Sequence, residues 1–417
     1  MSTATPDPGE WGAGGDIRAR LGARPVINLT GTLTGLGGIS ARPEAIAAAA
    51  AIMGKGVDIA ELQAAASRVI AEVTGAEAGF VSACSAAGIC MAIAGAMAGD
   101  RMAAIEQLPD TTGMRNEVVI QAGHLVNYGH PIAQDIRLTG ARVVVVGAVN
   151  SSSEAELGGA IGPGTAAALY VVSHHCFPDG QIPFAAFAGI CHDRGVKVIV
   201  DLAAEYDLTG FLREGADITI HSAHKFLGGA TAGIVAGRKP LVRAAFLQNF
   251  GIARPMKVGK EGIAAAMAAL RAFAAEDRAA ARAALREPLL HWRDALAGIA
   301  GIRAELDPDP TGNPFDRLRI TVLADAAFAA ADVVRALEAG TPPIRVRTHQ
   351  VGRGSFVLDA RSLGAGECEI VAGRLLAALD EARRSTNRGP TDAAHAWKTE
   401  RAEALRRWPD IGTGSGP

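Results

Sequence analysis

Seven short apolar runs, separated by stretches of helical length, set the rhythm of the chain: AGFVSA (78–83), EVVIQ (117–121), RVVVVG (142–147), ALYVVS (168–173), VKVIVD (196–201), DITIHS (217–222) and AGIVAG (232–237). They are rich in β-branched residues and apolar at successive rather than alternate positions, the pattern of strands covered on both faces. Such strands, joined by helix-length connections, predict a doubly wound α/β domain with a mainly parallel seven-stranded sheet, reaching to about residue 260.

Ahead of these runs, RPVINLTGTLTGLGG (24–38) reads as a short strand and a glycine-rich turn. Pro43 then opens a helix to Met53, at a first-turn position where its missing N–H is harmless. Behind the runs, an alanine-rich stretch predicts a connecting helix. RLRITVL (317–323), a helix over 326–339, strand-like IRVRT (344–348) and SFVLD (355–359), and a last helix over 366–384 predict a small C-terminal α+β domain. The expected organisation is a flexible arm at 1–15, an N-terminal segment at 16–50, a large domain at 51–260, a connecting helix at 261–297, a small domain at 298–385 and a polar tail at 386–417.

At 417 residues the chain exceeds one ordinary core, which agrees with a two-domain reading. Forty-one basic and 43 acidic residues give a formal net charge of -2, so there is no general positive field to gather nucleic acid or an anionic membrane. A small-molecule substrate is the expectation. Five irregularly spaced cysteines (Cys84, Cys90, Cys176, Cys191, Cys368) form neither a disulfide framework nor metal-binding pairs. The N-terminus lacks the pattern of a secretory leader, and the apolar run at 45–53 is too short to cross a bilayer. The expected location is cytoplasmic.

Chemistry concentrates at strand ends, where open α/β sheets place their ligands. Asp201 closes VKVIV. Lys225 follows DITIHS in the stretch HSAHKFLGG, before the permissive pair Gly228–Gly229. Taken singly, Asp201 could cap a helix and Lys225 could be a surface charge. Together they match the needs of pyridoxal phosphate (PLP): a carboxylate to keep the pyridine nitrogen protonated and an amine to bond the aldehyde. SACSAAG (82–88) places small residues at a helix start, where the Ser85 hydroxyl and the amides of Ser85, Ala86 and Ala87 could receive a phosphate; an ordinary small-residue turn is the alternative. Ser222 offers a second hydroxyl. His124, just beyond EVVIQ, could stack on the ring or be purely structural. His174 and His175 follow another strand end and could touch the substrate or the cofactor O3′. Beside Cys176 they lack any further ligand spacing for a metal.

In order, SACSAAG, QAGH, VDLAAEYDL, SAHKFLGGATAGIVAGRK and RPMKVGKEGI resemble the fold-type I PLP enzymes of the selenocysteine synthase-like group. The likeness is greatest to the branch that includes D-glucosaminate-6-phosphate ammonia-lyase, and it runs from about Val26 to Leu379. It implies a large domain of the aspartate aminotransferase superfamily, with Lys225 as the Schiff-base lysine, Asp201 as the ring-nitrogen partner and His124 as the stacking residue. Cys84, Ser85, Ala86 and Ser222 would form the phosphate cradle. Lys257 and Lys260 would lie on a loop that such enzymes bring to the active-site region, often across a dimer interface. The small domain would supply an arginine for the substrate carboxylate, Arg361 with Arg347 in reserve, because a guanidinium pairs both oxygens at once. The activity implied is α,β-elimination of a β-hydroxy amino acid, D- and sugar-derived ones included, to a 2-oxo acid and ammonia, in a homodimer or higher homo-oligomer. Racemisation or epimerisation, β-substitution, aldol cleavage and a non-catalytic PLP-fold binding role remain as alternatives. Selenium transfer to tRNA lacks a basic extension to support it. One departure is Phe226-Leu-Gly-Gly-Ala, where the branch usually has small residues leading to Gly-Pro. It marks His221, His224 and Phe226 as expected determinants of the pocket.

Overall fold

All seven apolar runs pair into one sheet. The structure, a computed structural model, describes residues 16–385, 403 and 405–409; the expected arm at 1–15 and nearly all of the expected tail lie outside the described residues. A first strand, β1 (Ile27–Leu29), belongs to a smaller unit. The sheet itself comprises β2 (Ala78–Ser82), β3 (Glu117–Gln121), β4 (Arg142–Val146), β5 (Thr165–Val171), β6 (Lys197–Asp201), β7 (Ile218–Ser222) and β8 (Gly233–Gly237). Their order is β2-β8-β7-β6-β5-β3-β4.

From β7 to β4 neighbouring strands are parallel, whereas β8 runs antiparallel to both β7 and β2. Two reversals restore direction, so β2 points the same way as β7. The carboxyl ends of β2, β7, β6, β5 and β3 therefore share one edge of the sheet. Register fixes the neighbours there: Ser82 and Ser222 both pair with Gly233, Asp201 pairs with Val171 and with Ile220. Central positions such as Val118, Leu169, Ile199, Ile218 and Val235 are fully buried, as successive apolar residues require. Helix Ser85–Ala98 is small-sided and almost wholly buried, and a Cβ on its Gly95 would meet the Ala245 backbone nitrogen at 2.5 Å.

The chain divides into a larger unit, Thr32–Ala281 with Asp309–Pro314, and a smaller one made of the residues up to Gly31, Arg282–Pro308 and those from Phe315 onward. In the smaller unit β9 (Ile302–Pro308), β10 (Asp316–Val322) and β12 (Ser355–Leu358) form an antiparallel sheet of order β12-β10-β9, while β11 (Ile344–Val346) pairs in parallel with β1. Helices Ala330–Ala339 and Glu367–Arg384 complete it around Trp292, Leu318, Phe356 and Leu375.

Three expectations change here. The connecting helix is broken into Lys260–Ala275 and Arg278–Ala295, because Glu276 is extended and the Asp277 carboxylate accepts the N–H groups of Ala279 and Ala280 as a new helix start. Strand β9 was not legible, since only one end of it is buried and no apolar run marks it. The helix expected from 326 begins at Ala330, where Asp332 accepts the Ala329 N–H. Among the described residues no helix is long and apolar enough to cross a membrane.

Candidate active site

Lys225 is half-buried in the turn that follows β7. The turn closes on itself through Gly228 N–H to the Lys225 carbonyl (3.2 Å) and Gly229 N–H to the Ala223 carbonyl (2.7 Å). A segment from the N-terminal side of the larger unit fastens it. Ile39 N–H donates to the His224 carbonyl (3.1 Å), Arg42 N–H to the Gly228 carbonyl (2.8 Å), and Arg42 Nε to the Leu227 carbonyl (2.9 Å). Gly38 sits at φ +79°, and a Cβ there would lie 2.3 Å from the His224 carbonyl oxygen. This clamp escaped the sequence reading, although the pair Gly37–Gly38 was its signal. His224 Nδ1 meets the Ser222 hydroxyl at 3.1 Å and its Nε2 meets Thr34 Oγ1 at 3.4 Å. Burial, then the neighbouring Lys225, lowers the pKa of His224.

Asp201 ends β6 and is 6% exposed. Its Oδ1 accepts the Ala203 N–H (3.1 Å), and among the described residues no other hydrogen-bond donor reaches the carboxylate. Burial pushes its pKa up to about 6, against the opposing pull of Lys225 and the Ala203 N–H. A buried carboxylate this short of partners suits a protonated pyridine nitrogen. The loop beyond it is anchored by Asn313, whose Nδ2 donates to Glu205 (2.9 Å) and Asp309 (2.9 Å) and whose Oδ1 accepts the Tyr206 N–H (2.8 Å). Burial raises Glu205 to about 7. Neither residue was found from sequence, and nothing in the local sequence links Asn313 to a loop more than a hundred residues earlier.

At the end of β2, Ser82 Oγ donates to the Cys84 carbonyl (2.8 Å), which also accepts the Gly88 N–H (3.0 Å). Cys84 is the N-cap of helix Ser85–Ala98, its Sγ taking the Ala87 N–H at 3.4 Å. The Ala87 amide is thus already used, contrary to expectation. The Ser85 hydroxyl and the N–H groups of Ser85 and Ala86 remain at the positive end of a 14-residue helix, a donor set that fits a phosphate.

His124 closes a 3₁₀ turn after β3 and is 3% exposed. Its Nδ1 accepts the Val171 N–H (3.2 Å), which places the proton of the neutral ring on Nε2, and Tyr170 packs edge-on at 4.4 Å between centroids. Burial lowers the His124 pKa to about 4. The adjacent turn with His174 and His175, rings 3.9 Å apart, is tied to this one by Phe177 N–H to the Gly123 carbonyl (3.1 Å). Beyond His124, the buried Asp135 accepts the Tyr128 hydroxyl and lies 2.7 Å from His130 Nε2.

Residues 26–291 match the L-seryl-tRNA selenium transferase family. This chain belongs to that family. A D-glucosaminate-6-phosphate ammonia lyase of Salmonella typhimurium is 36% identical over 361 residues, covering 86% of this chain and 97% of the relative. A 5'-C-glycyluridine monooxygenase-decarboxylase of a Streptomyces species is 37% identical over 360 residues, covering 85% and 90%. A solved structure of D-glucosaminate-6-phosphate ammonia-lyase matches with a TM-score of 0.80 at 36% identity, over 88% of this chain and 99% of the other. A Thermus thermophilus aspartate aminotransferase double mutant shares the fold alone, at 17% identity and TM-score 0.51 over 88% and 93%. The fold is therefore the fold-type I architecture that these solved structures share.

Other positions expected in this selenium transferase family member fall differently. Lys257 is exposed after the 3₁₀ turn Arg254–Met256, whereas Lys260 starts a helix and its Nζ donates to the Lys55 carbonyl. His221 and Phe226, 0% and 2% exposed, pack with Tyr206 and Phe273 in the core. The expectation that they shape the pocket is corrected; of the three residues His224 alone bonds Ser222, an expected phosphate donor. Arg361 belongs to the smaller unit, where it pairs with Asp359 at 2.6 Å and lies 3.9 Å from the Phe315 ring centroid. Arg317 (3.2 Å) and Arg347 (3.8 Å) face the same carboxylate. Burial alone would raise Asp359, but Arg361, Arg317 and Arg347 together hold it below the usual carboxylate range.

Proposed function

We propose that this protein is a PLP-dependent lyase that converts a β-hydroxy amino acid, sugar-derived ones included, to a 2-oxo acid and ammonia. The observation that carries the reading is a buried Asp201 that accepts one backbone N–H and feels the charge of Lys225, Asp201 ending one and Lys225 following the other of two neighbouring parallel strands. The ammonia lyase relative, similar along most of its length, supports elimination as the outcome.

The donors that would hold the cofactor phosphate are the Ser85 hydroxyl, the Ser85 and Ala86 amides and Ser222, with Cys84 shaping the turn. Bound there, PLP supplies an aldehyde that bonds an amine and a ring that takes up the electron pair left at Cα. Asp201 would hold a proton at the ring nitrogen, and His124, kept neutral by burial, would stack on the ring without adding charge. The Lys225 amine removes the Cα proton, as a general base within reach of the substrate must. A proton from His174 or His175 assists departure of the β-hydroxyl as water, and addition of water to the resulting imine releases ammonia. Arg361 and Arg347 in the smaller unit, and Lys257 in the larger, are the proposed groups for substrate anions; Lys260 serves the loop through Lys55. The reading includes a cytoplasmic, homodimeric or higher homo-oligomeric enzyme that acts on a small molecule.

A second reading, oxygen-dependent decarboxylation, is favoured by the Streptomyces relative, whose identity is as high. One experiment separates the readings. The full-length protein is loaded with PLP and given D- and L-β-hydroxy amino acids and amino sugar acids, with ammonia, 2-oxo acid, O2 uptake, CO2 and Cα deuterium exchange followed together. Ammonia and 2-oxo acid in equal amounts are expected. Exchange without ammonia supports a racemase or epimerase, O2 uptake with CO2 release supports the oxygenase, and a loaded protein inert to the whole panel refutes the lyase.

A further inference from the structure

We propose that His291, Cys368 and Glu369, on the surface of the smaller unit, bind a divalent metal ion of the zinc class. The three side chains come from two helices, His291 from Arg278–Ala295 and the other two from the first turn of Glu367–Arg384. Their ligand atoms all lie within 4.8 Å of one another, and His291 Nε2 is 3.3 Å from Glu369 Oε2. Around a tetrahedral zinc with metal–N and metal–O bonds of about 2.0–2.1 Å, two such donors stand about 3.3 Å apart, so that pair needs no adjustment. A thiolate at about 2.3 Å from the metal would stand about 3.6 Å from each. The Cys368 sulfur must therefore close by no more than about 1.2 Å, which a small side-chain rotation provides.

The frame around these donors is rigid. The Trp292 indole N–H, next in chain to His291, donates to the Cys368 carbonyl at 3.0 Å, and Trp292 is fully buried. The two backbones that carry the donors are thus fixed to each other. Glu287 precedes His291 by one helical turn on the same face, so a further carboxylate borders the site. Burial first, then Glu369 and Glu287, raises the Cys368 thiol. That negative surround, which disfavours a bare thiolate, attracts a cation that would bind one. On binding, Cys368 loses its proton to solvent and its sulfur becomes a ligand. Sulfur, imidazole and carboxylate together select zinc, cobalt or nickel over magnesium or calcium. Three protein ligands leave a fourth position for water or Glu287, and the ion would staple the two helices.

The test is a titration of the full-length protein with Co2+, read as difference spectra at constant cofactor loading. One equivalent should produce a near-ultraviolet thiolate-to-cobalt band together with visible bands of tetrahedral cobalt, and Zn2+ should abolish both. Cys368→Ser should lose the thiolate band. His291→Ala and Glu369→Gln, at exposed positions that folding does not need, should weaken binding by at least about tenfold. No thiolate band in the unaltered protein, or a band that survives Cys368→Ser, overturns the proposal.

Discussion

Replacing Asp201 with asparagine removes a buried charge while keeping the shape of the side chain and an oxygen to accept the Ala203 N–H. This carboxylate is 6% exposed with a single backbone donor, and burial raises its pKa to about 6 against an ordinary 3.8. A raised carboxylate pKa means that the folded state resists ionisation, so folding is penalised above the folded pKa and unpenalised below the unfolded one. The shift of about two units corresponds to roughly 3 kcal/mol at about 1.4 kcal/mol per unit. Asp201→Asn should therefore make the cofactor-free protein more stable by about 3 kcal/mol at pH 8, with the gain shrinking between pH 6 and pH 4 and absent below. Urea unfolding of both proteins across that range measures it. The same variant should hold PLP more weakly and lose turnover, because a neutral amide does not keep the ring nitrogen protonated. A variant no more stable than the parent at pH 8, or a gain that does not fade in acid, refutes the reasoning.

Lys225→Ala should remove the visible absorption of covalently held cofactor and cut turnover by at least about 10²-fold, since general base catalysis alone contributes that much; unchanged spectra would remove Lys225 from the site. Asn313→Ala leaves Glu205 buried without its amide donor and frees the Tyr206 N–H, and should cost about 1–3 kcal/mol in urea unfolding. Gly38→Ala forces a side chain into φ +79° against the His224 carbonyl. It should cost at least about 1–3 kcal/mol and also slow turnover, through displacement of the lysine turn; a loss of stability with unchanged kcat would show that the clamp does not set the position of Lys225.

What the sequence disclosed follows from which forces act locally. Six of the seven strands were legible because a strand buried on both faces must be apolar along its length, whereas β4, at the sheet edge with Val145 exposed, was legible from its run of valines alone; Asp201 and Lys225 stood out because they interrupt such runs at their ends. Strand β9 was hidden because it is covered at one end only. The break at Glu276 was hidden because Asp277 and the alanines around it suit either a helix interior or a cap. His221 and Phe226 were flagged for differing from relatives, yet sequence does not tell which side of the turn a residue faces. In β7 Ser222 faces His224 while His221, one position earlier, points to the opposite side, into the Phe226–Phe273 core. Asn313 was unreadable for a different reason: its partners are brought to it by the fold.

The proposed phosphate cradle shows most directly how topology assembles chemistry. Ser82 and Ser222 are 140 positions apart in sequence and never pair with each other; each pairs with Gly233 from opposite sides of β8. Because β8 opposes both neighbours, the helix start after β2 and the lysine turn after β7 emerge at the same edge. A one-residue slip of β8 would move both strands' partners and turn alternate side chains to the wrong face. Gly233 holds that register at the cradle itself, where a Cβ would lie 2.4 Å from both the Cys84 carbonyl oxygen and Ser82 Oγ. The carbonyl that would be displaced is the one that accepts from Ser82 and from Gly88 at the head of helix Ser85–Ala98. A glycine in a strand far from the lysine in chemistry, though not in space, is therefore what allows the helix to begin with its amides at the site.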